Sequence, residues 1–408
     1  MKILLATFWS IPHVGGVWNY MKQLKEKLES LGHEVDLLGY GDDNNYLHIV
    51  TKKQVIESNR FLPVITKVYE QTESSFYHKN PILYHYENLR YCFELGAAYF
   101  DLEKYDLIHT QDVLSTACIN RIRPQGTALV ATLHGSVAQE MKHYTTTVND
   151  KALSNSIKNY FDKMEYSGAT AAEFTIVANK WLKENLTNDF HVPVEQLKVT
   201  HYGYDTDTFV KRMKETSSIQ RPTDKKVIFY AGRLVEIKGV HILIQALSQL
   251  KRLRNDWVCW IAGDGKKQAD LQHQSRVLGL EKYIIFLGKR DDIPSLLSHS
   301  DIFVHPSLID NQPLSVIEAQ IAGKPVIVSD AGGLPEMVEH GVTGIITPAG
   351  KDKSLCVQLD SLLTNDKQRQ TLGSNAKKWA FSYWSIDTAV KNVLDIYQSA
   401  LTKKKNAL

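Results

Sequence analysis

Two carboxylates and two cations carry most of the chemistry open to this chain. Asp310 and Glu318 stand with seven residues between them in the run DIFVHPSLIDNQPLSVIEAQIAGKPVIVSDAGGLPE, residues 301–336. Pro313 suits the first position of a helix, where its missing N–H costs nothing. That helix carries Val316, Ile317, Ala319 and Ile321 and ends near Gly323. Asp310 then lies just outside the helix mouth, and Glu318 lies inside, roughly 7–8 Å beyond Pro313 at about 1.5 Å per residue. The backbone N–H groups of Leu314 and Ser315 point outward from that mouth. A helix start carries a partial positive charge, which suits a phosphate or a partly charged sugar oxygen. Two acceptor carboxylates flanking such a point fit a nucleotide sugar, with hydroxyls at the sugar, a diphosphate in the middle and hydroxyls at the ribose. Taken alone, the pair reads equally well as a capping Asp and a solvated helix Glu.

Arg233 and Lys238 lie five apart in GRLVEIKG, on a strand-to-helix turn, so both can reach one anion. The Arg supplies a planar fork and the Lys a point charge, and together they can neutralise a diphosphate leaving group. The plain alternative is two solvated cations. His134 closes the apolar run Ala128–Leu133, at the strand end where open α/β sheets bind ligands. Gly15-Gly16 permits close approach of backbone to a ligand, or simply a tight turn.

The elements that must position these residues read as two α/β halves. Lys2 to Trp9 is a buried strand, the Gly-rich loop follows, a helix runs to about Leu31, and Glu34–Tyr40 is the next strand. That is a nucleotide-type βαβ unit without the G-x-G-x-x-G fingerprint of dehydrogenases. Asp42 to Asn45 is a loop. The aromatics Tyr69, Phe76, Tyr77, Tyr84, Tyr86, Tyr91, Phe93, Tyr99 and Phe100 serve either core packing or an acceptor sugar. Asp106–Asp112 and Ala128–Leu133 are strands around a helix at Val113–Arg121, and Val137–Asp150 is polar and irregular. A helix near Lys151–Ser167, a strand at Thr175–Ala178, a helix from Asn179 and a strand at Lys198–His201 complete the half. The second half restarts with strands at Val227–Ala231, Val258–Ala262 and Ile284–Leu287, the last leading to Gly288-Lys289-Arg290. Strands at Ile302–Val304 and Pro325–Ser329 follow, then Gly344–Pro348 and helices from Asp352. The last helix is Ile386–Thr402, with Lys403-Lys404-Lys405 as a frayed, solvated end that can give at most peripheral membrane contact.

A chain of 408 residues, 43% hydrophobic and 23% charged, is long enough for two ordinary globular domains. A net charge of +3 gives no reason to expect nucleic acid. Cys92, Cys118, Cys259 and Cys356 are scattered without a C-x-x-C, which fits a reducing cytoplasm and argues against a disulfide framework or zinc site. No apolar run reaches about 18 residues, so no transmembrane helix is expected. The apolar N-terminal run is short and leads into a Pro-Gly turn, which is unlike an export signal.

The acidic residue, seven-residue gap and Glu, here Asp310 and Glu318, resemble the mark of retaining glycosyltransferases of the GT-B type, in the large group 1 family (family four). GRLVEIKG, the strand-end His134 and a G-x-D-x-x-x-F passage from Gly203 to Phe209 match the same family in the same order, so the resemblance covers nearly the whole chain. The family usually has Glu where this chain has Asp310, one methylene shorter.

The resemblance implies two doubly wound Rossmann-like α/β domains facing a cleft. An acceptor-side domain spans 1–210 and is joined by a crossing helix at about 384–408. A linker spans 211–226, and a nucleotide-sugar-binding domain spans 227–383. The implied reaction moves a sugar from a nucleoside-diphosphate sugar, with UDP the commoner carrier, to an acceptor hydroxyl with retention of anomeric configuration. Gly15-Gly16 would meet the donor, and His134 would lie next to its sugar. Arg233, Lys238 and the Leu314 and Ser315 amides would stabilise the departing diphosphate, so no metal or other cofactor is called for. Glu318 would accept from the ribose, Asp310 with the backbone near Asn311 and Gln312 would hold sugar hydroxyls, and Arg290 would lie beside the base. The acceptor would be a carbohydrate, a lipid-linked glycan or a small metabolite, in envelope polysaccharide or glycosylated-metabolite synthesis. A nucleotide-sugar epimerase on the same fold and a non-catalytic nucleotide-sugar-binding partner are the alternatives.

Overall fold

The computed structural model describes residues 1–13, 15–71, 80–145 and 150–407. Val14, Phe76 and Tyr77 lie outside the described residues. The chain divides into two compact units, Met1–His201 with Asp387–Leu408, and Tyr202–Ile386.

The first unit is built on eight strands: β1 (Lys2–Ser10), β2 (Glu34–Tyr40), β3 (Tyr46–Ile49), β4 (Gln54–Glu57), β5 (Leu107–Thr110), β6 (Ala128–Leu133), β7 (Phe174–Val177) and β8 (Leu197–Val199). Their order in the sheet is β4-β3-β2-β1-β5-β6-β7-β8. Ile3, Leu4, Leu5 and Ala6 of β1 are fully buried, as a parallel strand covered on both faces requires. The chain goes from β1 to β2 on one side and later to β5 on the other, so the sheet reverses direction at β1/β5. β3 and β4 pair antiparallel on the edge, in a stretch read as an unassigned run after a loop. Leu47, Ile49 and Ile56 of this hairpin are buried, but each strand is only four residues long and too short to show a clear alternation.

The second unit holds six parallel strands: β9 (Lys226–Ala231), β10 (Trp257–Ala262), β11 (Ile284–Gly288), β12 (Ile302–His305), β13 (Val326–Ser329) and β14 (Gly344–Thr347), ordered β11-β10-β9-β12-β13-β14. This sheet reverses at β9/β12. Such a switch point opens a crevice at the carboxyl ends of the strands. β9 leads to Arg233 and Lys238, and β12 leads to Asp310.

The structure departs from the sequence reading at four further points. Val137–Thr145 is a helix rather than an irregular segment. Its first turn is satisfied from a distance, because the Glu165 carboxylate accepts from the Ala138 N–H at 2.9 Å. Pro313 is the N-cap and not the first helical residue: its ψ of 127° is extended, and the helix is Leu314–Ile321. The stretch read as a linker belongs to the second unit, which begins at Tyr202. Arg221 pairs with Asp301 at 2.8 Å and Ser217 donates to Asp292 at 2.8 Å, which pins that stretch down. Finally, the three C-terminal lysines continue the helix Ile386–Asn406, and Lys403 donates to the Glu173 carbonyl at 3.1 Å. That helix buries Val390, Val393, Tyr397 and Ala400, and the Tyr397 hydroxyl meets His109 Nδ1 on β5 at 2.7 Å.

Candidate functional site

In the second unit the site grows from two strand ends. Past β9, Gly239 takes a left-handed φ of 65°, and a Cβ there would stand 2.0 Å from the Pro306 carbonyl oxygen. Only glycine lets this turn press against the chain leaving β12. The close approach seats Lys238, whose Nζ donates to Asp310 Oδ2 at 2.5 Å. On the far side Gly332, at φ 64°, lies where a Cβ would stand 2.0 Å from the Asp310 carbonyl oxygen, and the Gly333 N–H donates to that oxygen at 2.9 Å. Backbone therefore closes on Asp310 at the Gly332-Gly333 turn and on Pro306, four residues earlier, at the Gly239 turn.

The Asp310 carboxylate is fully engaged. Besides Lys238, His305 Nε2 donates to Oδ2 at 2.6 Å and the Ser307 hydroxyl donates at 3.2 Å. The Asn311 N–H donates to Oδ1 at 3.0 Å. The Lys238 and Asp310 side chains keep only 13% and 12% of their surface. Burial pushes the Asp310 carboxyl up, but the Lys238 ammonium and His305 outweigh it and hold it well below the usual carboxylate range. Burial also lowers His305, against the pull of Asp310.

Arg233 is exposed, and among the described residues its guanidinium has no ion pair. The helix Leu314–Ile321 has Pro313 as its N-cap, a residue whose side chain cannot cap the first-turn amides. Gln312 is buried, and its amide Nε2 has no partner among the described residues. Asn311 is buried beside it. Glu318 is not a solvated helix residue. Tyr204 donates to its Oε1 at 2.6 Å, and burial pushes it up to about 7 against that bond and the nearby Arg212 charge. Arg290 is taken up by Asp292 at 2.6 and 2.8 Å and by Ser218 at 2.9 Å.

In the first unit Gly15-Gly16 follows β1 and opens the helix Gly16–Ser30. Gly15 is extended, and a Cβ there would meet His13 Nε2 at 2.7 Å. His134 follows β6, bonded through Nε2 to Gln111 Oε1 at 3.0 Å, with the Tyr20 ring edge-on at 4.9 Å. Burial lowers His134 to about 3, so the imidazole is neutral at pH 7. Of the candidate aromatics, Tyr69, Phe93 and Phe100 are buried, while Tyr84, Tyr86 and Tyr91 pack onto the core and Tyr99 is exposed.

The structure thus joins Lys238 directly to Asp310. It adds three residues absent from the sequence reading of the site: His305, Ser307 and Tyr204. His305 carried a signal, since it ends a buried strand as His134 does. Tyr204 carried none, because its partner lies more than a hundred residues away. Among the described residues no three His, Cys, Asp or Glu side chains converge as a metal site. No helix among them is long and apolar enough to cross a membrane.

Comparison with known proteins accounts for both units. The model of the family Glycosyl transferases group 1 matches residues 211–379, and that of Glycosyltransferase Family 4 matches residues 14–208. An uncharacterized glycosyltransferase of Methanocaldococcus jannaschii is 28% identical over 98% of this chain and 99% of its own length. The N-acetyl-alpha-D-glucosaminyl L-malate synthase of Bacillus anthracis is 23% identical over 97% of both chains. The crystal structure of Anabaena HepE in complex with UDP-glucose superposes with a TM-score of 0.70, at 22% identity, over 98% of this chain and all of that one.

Proposed function

The chain belongs to the group 1 glycosyltransferases and has their GT-B fold, and we propose that it moves a sugar from a nucleoside-diphosphate sugar to an acceptor hydroxyl with retention of anomeric configuration. The carrying observation is the Lys238–Asp310 pair at the β9/β12 switch point, with Arg233, exposed and without an ion pair among the described residues, on the same turn and a helix start with Pro313 as its N-cap beside Asp310. That is a preformed anion site flanked by acceptors. The UDP-glucose bound to the Anabaena neighbour supports UDP as the carrier.

Departure of the diphosphate breaks the bond from the sugar's anomeric carbon to phosphate oxygen and builds negative charge there. Arg233, Lys238 and the amides of Leu314 and Ser315 stabilise it. Lys238 has three N–H donors, so the one given to Asp310 orients the ammonium and leaves donors for phosphate. Fixed cations do the work a metal does elsewhere, and no metal is called for. Asp310, the backbone near Asn311 and the unpaired Gln312 amide hold sugar hydroxyls. Glu318 accepts from the ribose. Gly15-Gly16 meets the donor, Arg290 lies on the base side, and neutral His134 offers a hydrogen bond at the sugar. The acceptor oxygen bonds to the anomeric carbon on the face the phosphate leaves, and its proton passes to that phosphate. Asp310, wrapped by four donors, is a poor nucleophile for a covalent intermediate. The acceptor is a carbohydrate, a lipid-linked glycan or a small metabolite, met in the cytoplasm.

The test is incubation of the purified protein, without added metal, with UDP-, GDP-, ADP- and dTDP-sugars, following release of nucleoside diphosphate. Slow release from one donor, abolished in Glu318→Ala, is expected. Conversion of the donor to another sugar without release would identify an epimerase. Absence of both release and thermal shift with every donor would overturn the nucleotide-sugar reading.

A further inference from the structure

Glu318 is held from outside its own helix. The Tyr204 hydroxyl donates to its Oε1 at 2.6 Å, which leaves Oε2 for a ligand. Tyr204 is itself fixed at three points. Its N–H donates to the Trp384 carbonyl at 2.9 Å, its backbone bridges to Ser385, and its ring meets Phe209 edge-on at 5.7 Å. Trp384 closes the circuit, because its indole N–H donates to Gln320 Oε1 at 2.8 Å on the same helix as Glu318. Gln320 Nε2 in turn donates to the Met337 carbonyl at 2.7 Å. Two side chains of the helix Leu314–Ile321 are therefore tied to one backbone junction, where the segment entering the unit meets the segment leaving it.

We propose that Tyr204 is the positioning residue for the ribose-binding carboxylate, setting the strength of nucleoside diphosphate binding without touching the donor. The proposal rests on the glycosyltransferase reading above and on its assignment of Glu318 to the ribose. An ionised carboxylate accepts from ribose hydroxyls through both oxygens and more strongly than the neutral acid, which turns one oxygen into a donor. Burial pushes Glu318 up to about 7, and the groups opposing that rise are the Tyr204 hydroxyl and Arg212 on the helix Thr206–Arg212. Asp205 is the other charge facing Tyr204. Because the folded value is raised, the ionised, more strongly accepting form is lost as pH falls through about 7 and restored above it. The phenol O–H bonds the charged form, so its removal drives Glu318 higher still. Nucleoside diphosphate binding then requires a more alkaline solution.

The experiment is calorimetric titration of UDP, GDP and ADP into the full chain from about pH 5.5 to about pH 9. Wild type, Tyr204→Phe and Trp384→Phe are compared. Phe keeps the ring against Phe209 and removes only the hydroxyl. The expected result is binding to wild type with a midpoint near 7. In Tyr204→Phe the midpoint rises by about one pH unit and binding at neutral pH weakens roughly fivefold. In Trp384→Phe thermal stability falls and the midpoint stays in place. A Tyr204→Phe midpoint equal to wild type overturns this proposal and leaves the glycosyltransferase reading standing. An equal rise in Trp384→Phe also overturns it, since loosening of the helix alone would then suffice. A wild type that binds none of the three diphosphates overturns both.

Discussion

Lys238 and Arg233 share a turn and a proposed ligand, yet their side chains sit in opposite circumstances. Lys238 is nearly buried against Asp310, while Arg233 is exposed and among the described residues has no ion pair. Removing one partner of a buried pair strands the other charge and costs about 3–5 kcal/mol. Lys238→Ala is therefore expected to lose both transfer and stability. Arg233→Ala is expected to lose transfer by about two orders of magnitude or more, the scale of a missing charge stabiliser, with its unfolding midpoint unchanged. Donor turnover and urea unfolding measured on both variants check this, and a stability loss in Arg233→Ala would mean the guanidinium has a structural partner. The pH dependence separates them further. Asp310 is depressed in the folded state, so its contribution is complete above the unfolded value of about 4 and is lost as pH falls through the lower folded value. Without Lys238 that lower value rises, and acid unfolding of Lys238→Ala should begin at higher pH than in wild type. The pairing was half legible. The spacing of Arg233 and Lys238 pointed to an anion, but only the glycine-enabled approach to Pro306 shows that Lys238 already holds an internal one.

At the scale of elements, the C-terminal helix Ile386–Asn406 illustrates how a distant segment becomes part of the first unit. Tyr397 is fully buried on it, and its hydroxyl meets His109 Nδ1 on β5. His109 Nε2 meets the Thr132 hydroxyl at 2.7 Å, so the imidazole uses both nitrogens. Burial lowers His109 to about 3, so it stays neutral and leaves one ring nitrogen unsatisfied if Tyr397 is lost as a partner. Tyr397→Phe is expected to cost about 1–3 kcal/mol, the penalty for orphaning a buried polar group, as a lower urea midpoint with an unchanged slope. A neutral substitution would show that the helix is held by its apolar stripe alone. The helix was readable from its apolar spacing, and so were the buried strands, because parallel strands covered on both faces show as unbroken apolar runs. Val137–Thr145 was not readable, since its first turn depends on Glu165, which lies on another helix. The β3–β4 hairpin was missed because strands of four residues give too few alternations to count.

For the whole molecule the question is which unit suffices for which step. Each has its own apolar core: Leu4, Phe8, Tyr40 and Phe93 belong to one, and Ile228, Leu243, Trp257 and Val304 to the other. The second unit is one continuous segment, Tyr202–Ile386, whereas the first needs residues 387–408 to return to it. The named partners of Asp310, Lys238 and Glu318 all fall within the continuous segment: His305, Ser307, Asn311 and Tyr204. Trp384 and Ser385, which fix Tyr204, are inside it as well. A segment of that length buries enough surface to fold alone. The excised fragment 202–386 is therefore expected to unfold cooperatively and to bind nucleoside diphosphate no more than about tenfold more weakly than the full chain, the equivalent of about one lost hydrogen bond. It is expected to transfer no sugar, since Gly15, Gly16 and His134 are absent from it. Calorimetry with the diphosphate that the full chain prefers, followed by a turnover assay, tests both halves of the expectation. A folded fragment that binds nothing would move the anion site away from Arg233 and Lys238. A fragment that transfers sugar would remove His134 and the Gly15-Gly16 loop from the reaction.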